Sequence, residues 1–350
     1  MSKEVGKIDL LQERHEEIHS NRFEETGGIN PRYSMVFRTV SYLIFLGGVL
    51  LLPSLVNGLQ LRLATLASIW FVATMGLQVL MGQAGLVSIG QAAFVGVGAY
   101  TAAILATKHG FNFLLTIPIA GISGVILAII VGFPTLKLRG HYLAIASIGV
   151  GQIILVLMVN WRAVTNGMDG ITSIHRPVES NRTYFYICVA IGLAIAFALY
   201  SLRQTPVGLA FTALRTDETA AGAMGISVAW HYLIAFMISG FCAGVAGGLF
   251  AYNEGFISPY GFDLGQSIVL LTMIIIGGLR HISGALVGAI LLVFLPPNLE
   301  FLGSSYMVIY GLAVLLVILF APDGAAGALL KLRNFLLRKI SGSNRRAEVV

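Results

Sequence analysis

The sequence predicts an all-α integral membrane protein, a polytopic bundle of about ten transmembrane helices. Three observations predict it. The 350 residues are 57% hydrophobic and 11% charged, with a mean hydropathy of +0.85; a soluble domain carries about 25% charged residues. Apolar runs near the ~20 residues that cross hydrocarbon recur along the chain. They are long runs rather than alternating ten-residue strands, which argues against an outer-membrane barrel. Finally, no Asp or Glu occurs between Glu25 and Asp169, although several apolar runs lie there.

Taken in order, the apolar runs place helices at roughly 40–56, 63–81, 88–106, 113–132, 142–160, 184–202, 232–251, 266–278, 282–296 and 305–321. The first run begins near Arg38, after a charged tail, too late for a cleaved signal peptide. Residues 1–34 read as a cytoplasmic tail, 35–325 as the transmembrane domain with a cytoplasmic loop at 203–231, and 326–350 as a basic cytoplasmic tail. In the first tail, Val5, Ile8, Leu11, His15 and Ile18 form a weak helical stripe that fits a surface-lying helix or a loosely ordered segment.

Charge gives the orientation. With both termini inside, only Arg62, Lys108, Arg162, Arg176 and Arg182 of the 22 Lys and Arg face outward. That asymmetry matches the cytoplasmic bias of basic residues, and the net charge of +6 is no nucleic-acid signal. The runs 266–278 and 282–296 are short. Two short crossings set Arg280 and His281 at the cytoplasmic face. A re-entrant hairpin would bury Arg280 at about 2.5–3.5 kcal/mol.

Composition also narrows function. A proton-coupled carrier usually keeps a carboxylate at membrane depth, and the acid-free stretch offers none. The phosphate-cradling GxxxxGK[ST] loop is absent from the sequence. Energy, if used, comes from another subunit, and no catalytic residue is expected. Cys188 and Cys242 both lie in apolar runs and argue for neither a disulfide framework nor a metal site.

Four sets of residues stand out. Gly240, Gly244 and Gly248 recur every fourth position beside Ala235, Ser239, Ala243 and Gly247. Gly284 and Gly288 repeat the spacing, as do Ala92 and Gly96. Such flanks let membrane helices approach closely, and static packing is the plainer reading over a moving seam. Second, the run Gly82 to Gln91 holds three glycines and two glutamines between two spans. Breaks of this kind are tolerated where freed backbone groups line a cavity or contact protein. They flank the substrate path in many transporters, although an ordinary cytoplasmic turn also fits. Third, polar groups inside apolar runs are few. Gln83, Ser88, Gln91, Tyr100, Tyr142 and Gln152 are candidates for a translocation pathway, and Gln78 also stands out. Inter-helical hydrogen bonding is the commoner use of such residues.

The fourth set is the cytoplasmic loop. Thr216 or Asp217 is placed to cap a short helix near 217–224, Glu218 suits its positive end, and Gly225 suits a left-handed stop. Ala220, Ala221 and Met224 would then form an exposed apolar knob fit for docking, or for resting on lipid.

At this loop the chain resembles a known family. Gly208, Leu214, Arg215, Asp217, Glu218, Ala221, Met224 and Gly225 match the coupling segment of permease subunits of high-affinity branched-chain amino acid ABC importers. Further matching blocks are Gly82 to Phe94, Gly98 to Ala103, Leu138 to Ile145, Thr165 to Ile171, Gly255 to Pro259, Gly277 to Gly284 and Leu319 to Gly324. The similarity is greater to the LivM-type half of the pair than to the LivH-type half. Gln91 stands where the family often has His, and Arg280-His281 replaces Gly-Ser.

The resemblance implies a type II ABC importer permease in a bacterial cytoplasmic (inner) membrane. It implies three kinds of partner besides membrane lipid. These are a second, LivH-type permease, two cytoplasmic ABC ATPases that carry ATP and Mg, and an extracytoplasmic substrate-binding protein. No cofactor is implied on this chain. The implied cargo is branched-chain amino acids, with urea, short-chain amides or other amino acids as the alternative. From the residues alone, an autonomous channel or a sodium-coupled carrier for small neutral solutes stays open.

Overall fold

The computed structural model describes residues 47–48, 51–135, 140–279 and 282–299, with isolated positions 311, 315, 324 and 327. The tail at 1–34, the tail at 326–350 apart from position 327, the expected span at 305–321 apart from positions 311 and 315, and Arg280 with His281 lie outside the described residues, as does most of the span at 40–56. From Asn57 onward the described residues belong to one compact unit.

That unit is helical. α1 is Gly58–Leu77 and runs on into a π-turn, Gln78–Gln83. α2 is Gln91–His109, α3 Phe113–Thr135, α4 His141–Asn160 and α5 Asn181–Leu202. Two short helices come next, α6 Pro206–Thr216 and α7 Glu218–Ala223. α8 is Val228–Glu254, α9 Leu264–Gly277 and α10 Ile282–Leu299. Each long helix falls on one of the apolar runs, because length and apolarity together leave a membrane chain no other way to satisfy its backbone.

Among the described residues, six helices are long and apolar enough to cross a membrane, and the apolar stretch Ile282–Pro297 is shorter. The expected count of about ten is therefore not reached among them. α2 is one reason: Ala, Gly and Thr dilute its apolarity, and 11 of its residues are buried, so protein rather than lipid surrounds it. α9 is another intermediate case: its 14 residues span about 21 Å, and the 3-10 turn Pro259–Phe262 lengthens it.

α8 is the centre, packed along α2, α3 and α1. Its small flank sets the approach. A Cβ at Gly244 would overlap the Ala120 carbonyl, one at Gly240 the Gly124 carbonyl, and one at Gly98 the Gly244 backbone. A Cβ at Gly248 would lie 3.1–3.4 Å from Ile117, Ala120 and Ala102. In the α9–α10 hairpin, Gly288 faces the Met273 carbonyl and Gly284 the backbone of Gly277 and Gly278. Backbones this close gain dispersion along their whole length.

The C-terminal end of α8 is pinned. Arg176 donates from Nε to the Tyr252 carbonyl (3.2 Å), from Nη1 to Asn181 Oδ1 (2.6 Å) and from Nη2 to the Asn253 carbonyl. It thereby serves helix-terminal carbonyls that have no partner within the helix. Glu254 pairs with Arg62 of α1 at 2.6 Å. Nearby, a cavity of about 800 Å³ opens among residues that include Thr107, Asn112, Phe113, Ser173, His175 and Tyr252.

Candidate functional site: a broken helix joined to a capped hairpin

The α-helical ladder of α1 gives way to the wider π-turn at Gln78–Gln83, and the chain then leaves helix until Gln91. Gly85 turns there with φ +77°, a conformation that glycine adopts without the cost a side chain adds. π-turns cluster at functional sites.

Four other elements hold the break. The Ile89 amide donates to Ser147 Oγ of α4 at 2.8 Å. The Ala92 amide donates to Ser267 Oγ of α9 at 3.1 Å. Gln91 and Ser239 of α8 pair reciprocally: Ser239 Oγ donates to Gln91 Oε1 (3.1 Å), and Gln91 Nε2 donates to the Ser239 carbonyl (3.4 Å). From α6, Arg215 Nη1 donates to the Gly82 carbonyl, and the Arg215 side chain also lies against Gly85. The Leu279 carbonyl presses on Gly82 from the α9–α10 turn. Backbone groups freed by the rupture are thus served by neighbouring helices, as membrane depth requires.

The side chains of the break are not all served. Gln78 Nε2, Gln83 Nε2 and Oε1, and Ser88 Oγ are buried without a hydrogen-bond partner, as is Tyr100 Oη on α2. Leaving such a group unpaired costs about 1–3 kcal/mol each, so several within one short segment set the break apart from an ordinary packed turn.

The hairpin α6–α7 is built locally. Thr205 caps α6, with Pro206 at its first position. Asp217 Oδ1 accepts from the amides of Thr219 (2.8 Å) and Ala220 (3.0 Å), starting α7. At its end, Ile226 N–H reaches the Ala221 carbonyl and Gly225 N–H the Gly222 carbonyl, with Gly225 at φ +85°. These two bonds are the glycine-terminated Schellman arrangement. Asp217, not Thr216, is therefore the cap. Gly208 sits tight against the Leu202 carbonyl and Arg203, and Leu214 is buried. Glu218 is half-buried at the start of α7, in line with its macrodipole. Ala220 is exposed and Met224 is 84% exposed, but Ala221 is buried. The expected three-residue knob loses Ala221, because the two-bond stop turns that side of the helix inward.

The candidate pathway residues divide. Gln83 and Ser88 lie in the break, Gln91 opens α2 in its bonded pair, and Tyr100 lies further along α2 with its ring edge-on to Phe262 at 6.4 Å. Tyr142 and Gln152 do not join them: both are exposed on the outer surface of α4. The sequence points to neither Ser147 nor Ser267, and to Ser239 only as a small residue beside the glycine flank. Small hydroxyls are too common in membrane helices to be noticed without their partners.

A family model for branched-chain amino acid transport system / permease component matches residues 59–321. The high-affinity branched-chain amino acid transport system permease protein LivM of Escherichia coli is 33% identical, covering 82% of this chain and 75% of that protein. A probable branched-chain amino acid transport permease protein LivH of Methanocaldococcus jannaschii is 28% identical over 68% of this chain and 82% of its own. The ribose import permease protein RbsC of Haemophilus influenzae is 24% identical over 60% of this chain and 65% of its own. No solved structure matches. The break, the capped hairpin and the glycine seam all fall inside the matched span, and the chain belongs to the family of permease components of branched-chain amino acid transport systems.

Proposed function

We propose that this chain imports branched-chain amino acids as one of two unlike permease subunits of an ABC importer. It crosses the cytoplasmic membrane about ten times with both termini inside. Two separate ATPases supply the energy, and an extracytoplasmic binding protein delivers the cargo to the outward face. The curated relatives support the cargo, and the acid-free spans suit a zwitterion as well as a neutral solute.

One observation carries the mechanical reading: the Arg215 guanidinium joins the capped hairpin to the Gly82 carbonyl of the broken helix. A push on α7 reaches the break through α6 and this bond, without crossing the packed seam of α8. The ATPase acts by binding two permease conformations with different affinity. The orphaned amide of Gln83 and hydroxyl of Ser88 then meet water or cargo as the break changes shape.

The test is purification in mild detergent followed by reconstitution with whatever co-purifies. Recovery of a second permease and ATPases, with ATP-dependent uptake of labelled leucine in excess of urea, acetamide and ribose, is the expected result. Recovery of this chain alone, moving solute without ATP, overturns the reading in favour of a channel or sodium-coupled carrier.

A further inference from the structure

Three helices long and apolar enough to cross a membrane end at one small pocket. α1 begins there with Gly58, α5 begins there with Asn181, and α8 ends there one residue past Asn253. The ends of spanning helices lie among lipid headgroups, because the apolar length between them fills the hydrocarbon. The pocket encloses about 230 Å³, and Arg62 and Arg176 line it together with Asn181, Tyr184 and Asn253. The larger cavity near Tyr252 and an apolar groove between α3, α5 and α8 have neither Arg nor Lys in their walls.

Charge in this pocket does not balance. Glu254 pairs with Arg62 at 2.6 Å. Arg176 is half-buried, and among the described residues no carboxylate answers it. Its partners are neutral oxygens: the carbonyls of Tyr252 and Asn253, and Oδ1 of Asn181. The Tyr184 ring, its centroid 5.6 Å from the guanidinium carbon, holds it further. A guanidinium carries five N–H donors. Arg176 commits three and Arg62 one, so both have donors to spare. The first amides of α5 add to the positive field, since Ser180 gives them no side-chain cap. A surplus of one positive charge with free guanidinium N–H groups suits a monoanionic phosphate, because the planar fork matches two phosphate oxygens at once.

We propose that this pocket binds the phosphate of a membrane phospholipid with one net negative charge, of the phosphatidylglycerol class. Its position at three helix ends favours a lipid phosphate over a free one. α5 packs chiefly on α1, and only 22% of its apolar stretch is buried inside the described fold. Leu193 and Phe197 are exposed along it and give acyl chains a surface to lie on. The bound lipid supplies the missing negative charge and ties α1 and α5 together at the end where Arg176 already holds α8. It rests on the chain lying in a membrane, and neither on the importer reading nor on which face is cytoplasmic.

The experiment equilibrates the full chain, with whatever co-purifies, in vesicles of phosphatidylethanolamine and phosphatidylglycerol in equal amounts. It is then extracted in mild detergent, and the retained lipids are counted by native mass spectrometry. The expected result is retention of phosphatidylglycerol over phosphatidylethanolamine, reduced about fivefold in Arg62→Gln and undiminished in Glu254→Gln. Both substitutions break the Arg62–Glu254 pair. An equal loss in the two therefore means that the pair only shapes this end of the bundle, and it overturns the proposal. Equal retention of the two lipids by the unmodified chain, or full retention by Arg62→Gln, overturns it as well. Displacement of phosphatidylglycerol by inorganic phosphate or by leucine assigns the pocket to a soluble phosphate or carboxylate and overturns the lipid source. Lipid retention is the readout, so a chain that keeps phosphatidylglycerol but imports no leucine sinks the proposed function and leaves this site standing.

Discussion

The glycine seam of α8 and the broken end of α1 lie in the same bundle and are built on opposite terms. Along the seam, backbones meet at Gly240, Gly244 and Gly98, and the side chains that border it are small. At the break, hydroxyls, an arginine and a neighbouring carbonyl hold the backbone, while four side-chain polar atoms of Gln78, Gln83 and Ser88 stay unpaired. Contact by dispersion tolerates almost no displacement. A set of hydrogen bonds with spare donors and acceptors has alternatives open to it. The difference teaches where this molecule is rigid and where it has room to change.

The largest expected effect breaks the seam. Gly244→Leu forces a side chain into the Ala120 carbonyl, costing about 1–3 kcal/mol or more. Folded protein recovered by size-exclusion chromatography collapses; normal recovery would show that the seam can give way. Arg215→Ala should instead fold normally and lose function. Removing a charge-assisted hydrogen bond of about 1.5–3 kcal/mol lowers ATP-driven leucine uptake about tenfold or more, while ATP hydrolysis by the complex continues.

Asp217→Ala removes the cap of α7 at about 1 kcal/mol. Uptake falls about fivefold, with little change in thermal stability of the bundle. Glu218→Lys acts in the same direction by opposing the helix dipole, and unchanged uptake by either variant would count against α7 as the docking element. The smallest effect sharpens the boundary between the regions. A double-mutant cycle on Gln91→Leu and Ser239→Ala, read by thermal unfolding, should give a coupling of about 0.6 kcal/mol.

Much of this contrast is legible in the chain. Apolar length alone places every long helix described, since the bilayer fixes how much chain each needs. The spacing of Gly240, Gly244 and Gly248 marks the seam, because helical periodicity projects directly onto a face. Asp217 and Gly225 mark the ends of α7, because capping is local. What escapes depends on distant parts of the chain. Nothing near Arg215 points to Gly82, and nothing near Ser147 or Ser267 points to the amides they serve. Tyr142 and Gln152 resemble Gln83 and Ser88 as polar residues among apolar ones, and only the packing of α4 shows that they lie on an exposed face and not in the buried break. Ala221 is misplaced for a related reason: the apolar run at α7 reads as a knob until the two-bond stop shows which side is covered.

Motion of the cytoplasmic hairpin, on this reading, reaches the break through Arg215. The most direct test uses Ser88→Cys, buried in the state described, in the reconstituted importer. Its rate of reaction with a water-soluble maleimide is measured with and without a non-hydrolysable ATP analogue. Nucleotide is expected to change the labelling rate about tenfold or more when Arg215 is present, and to leave it unchanged in Arg215→Ala. The same nucleotide response without Arg215 would contradict this coupling.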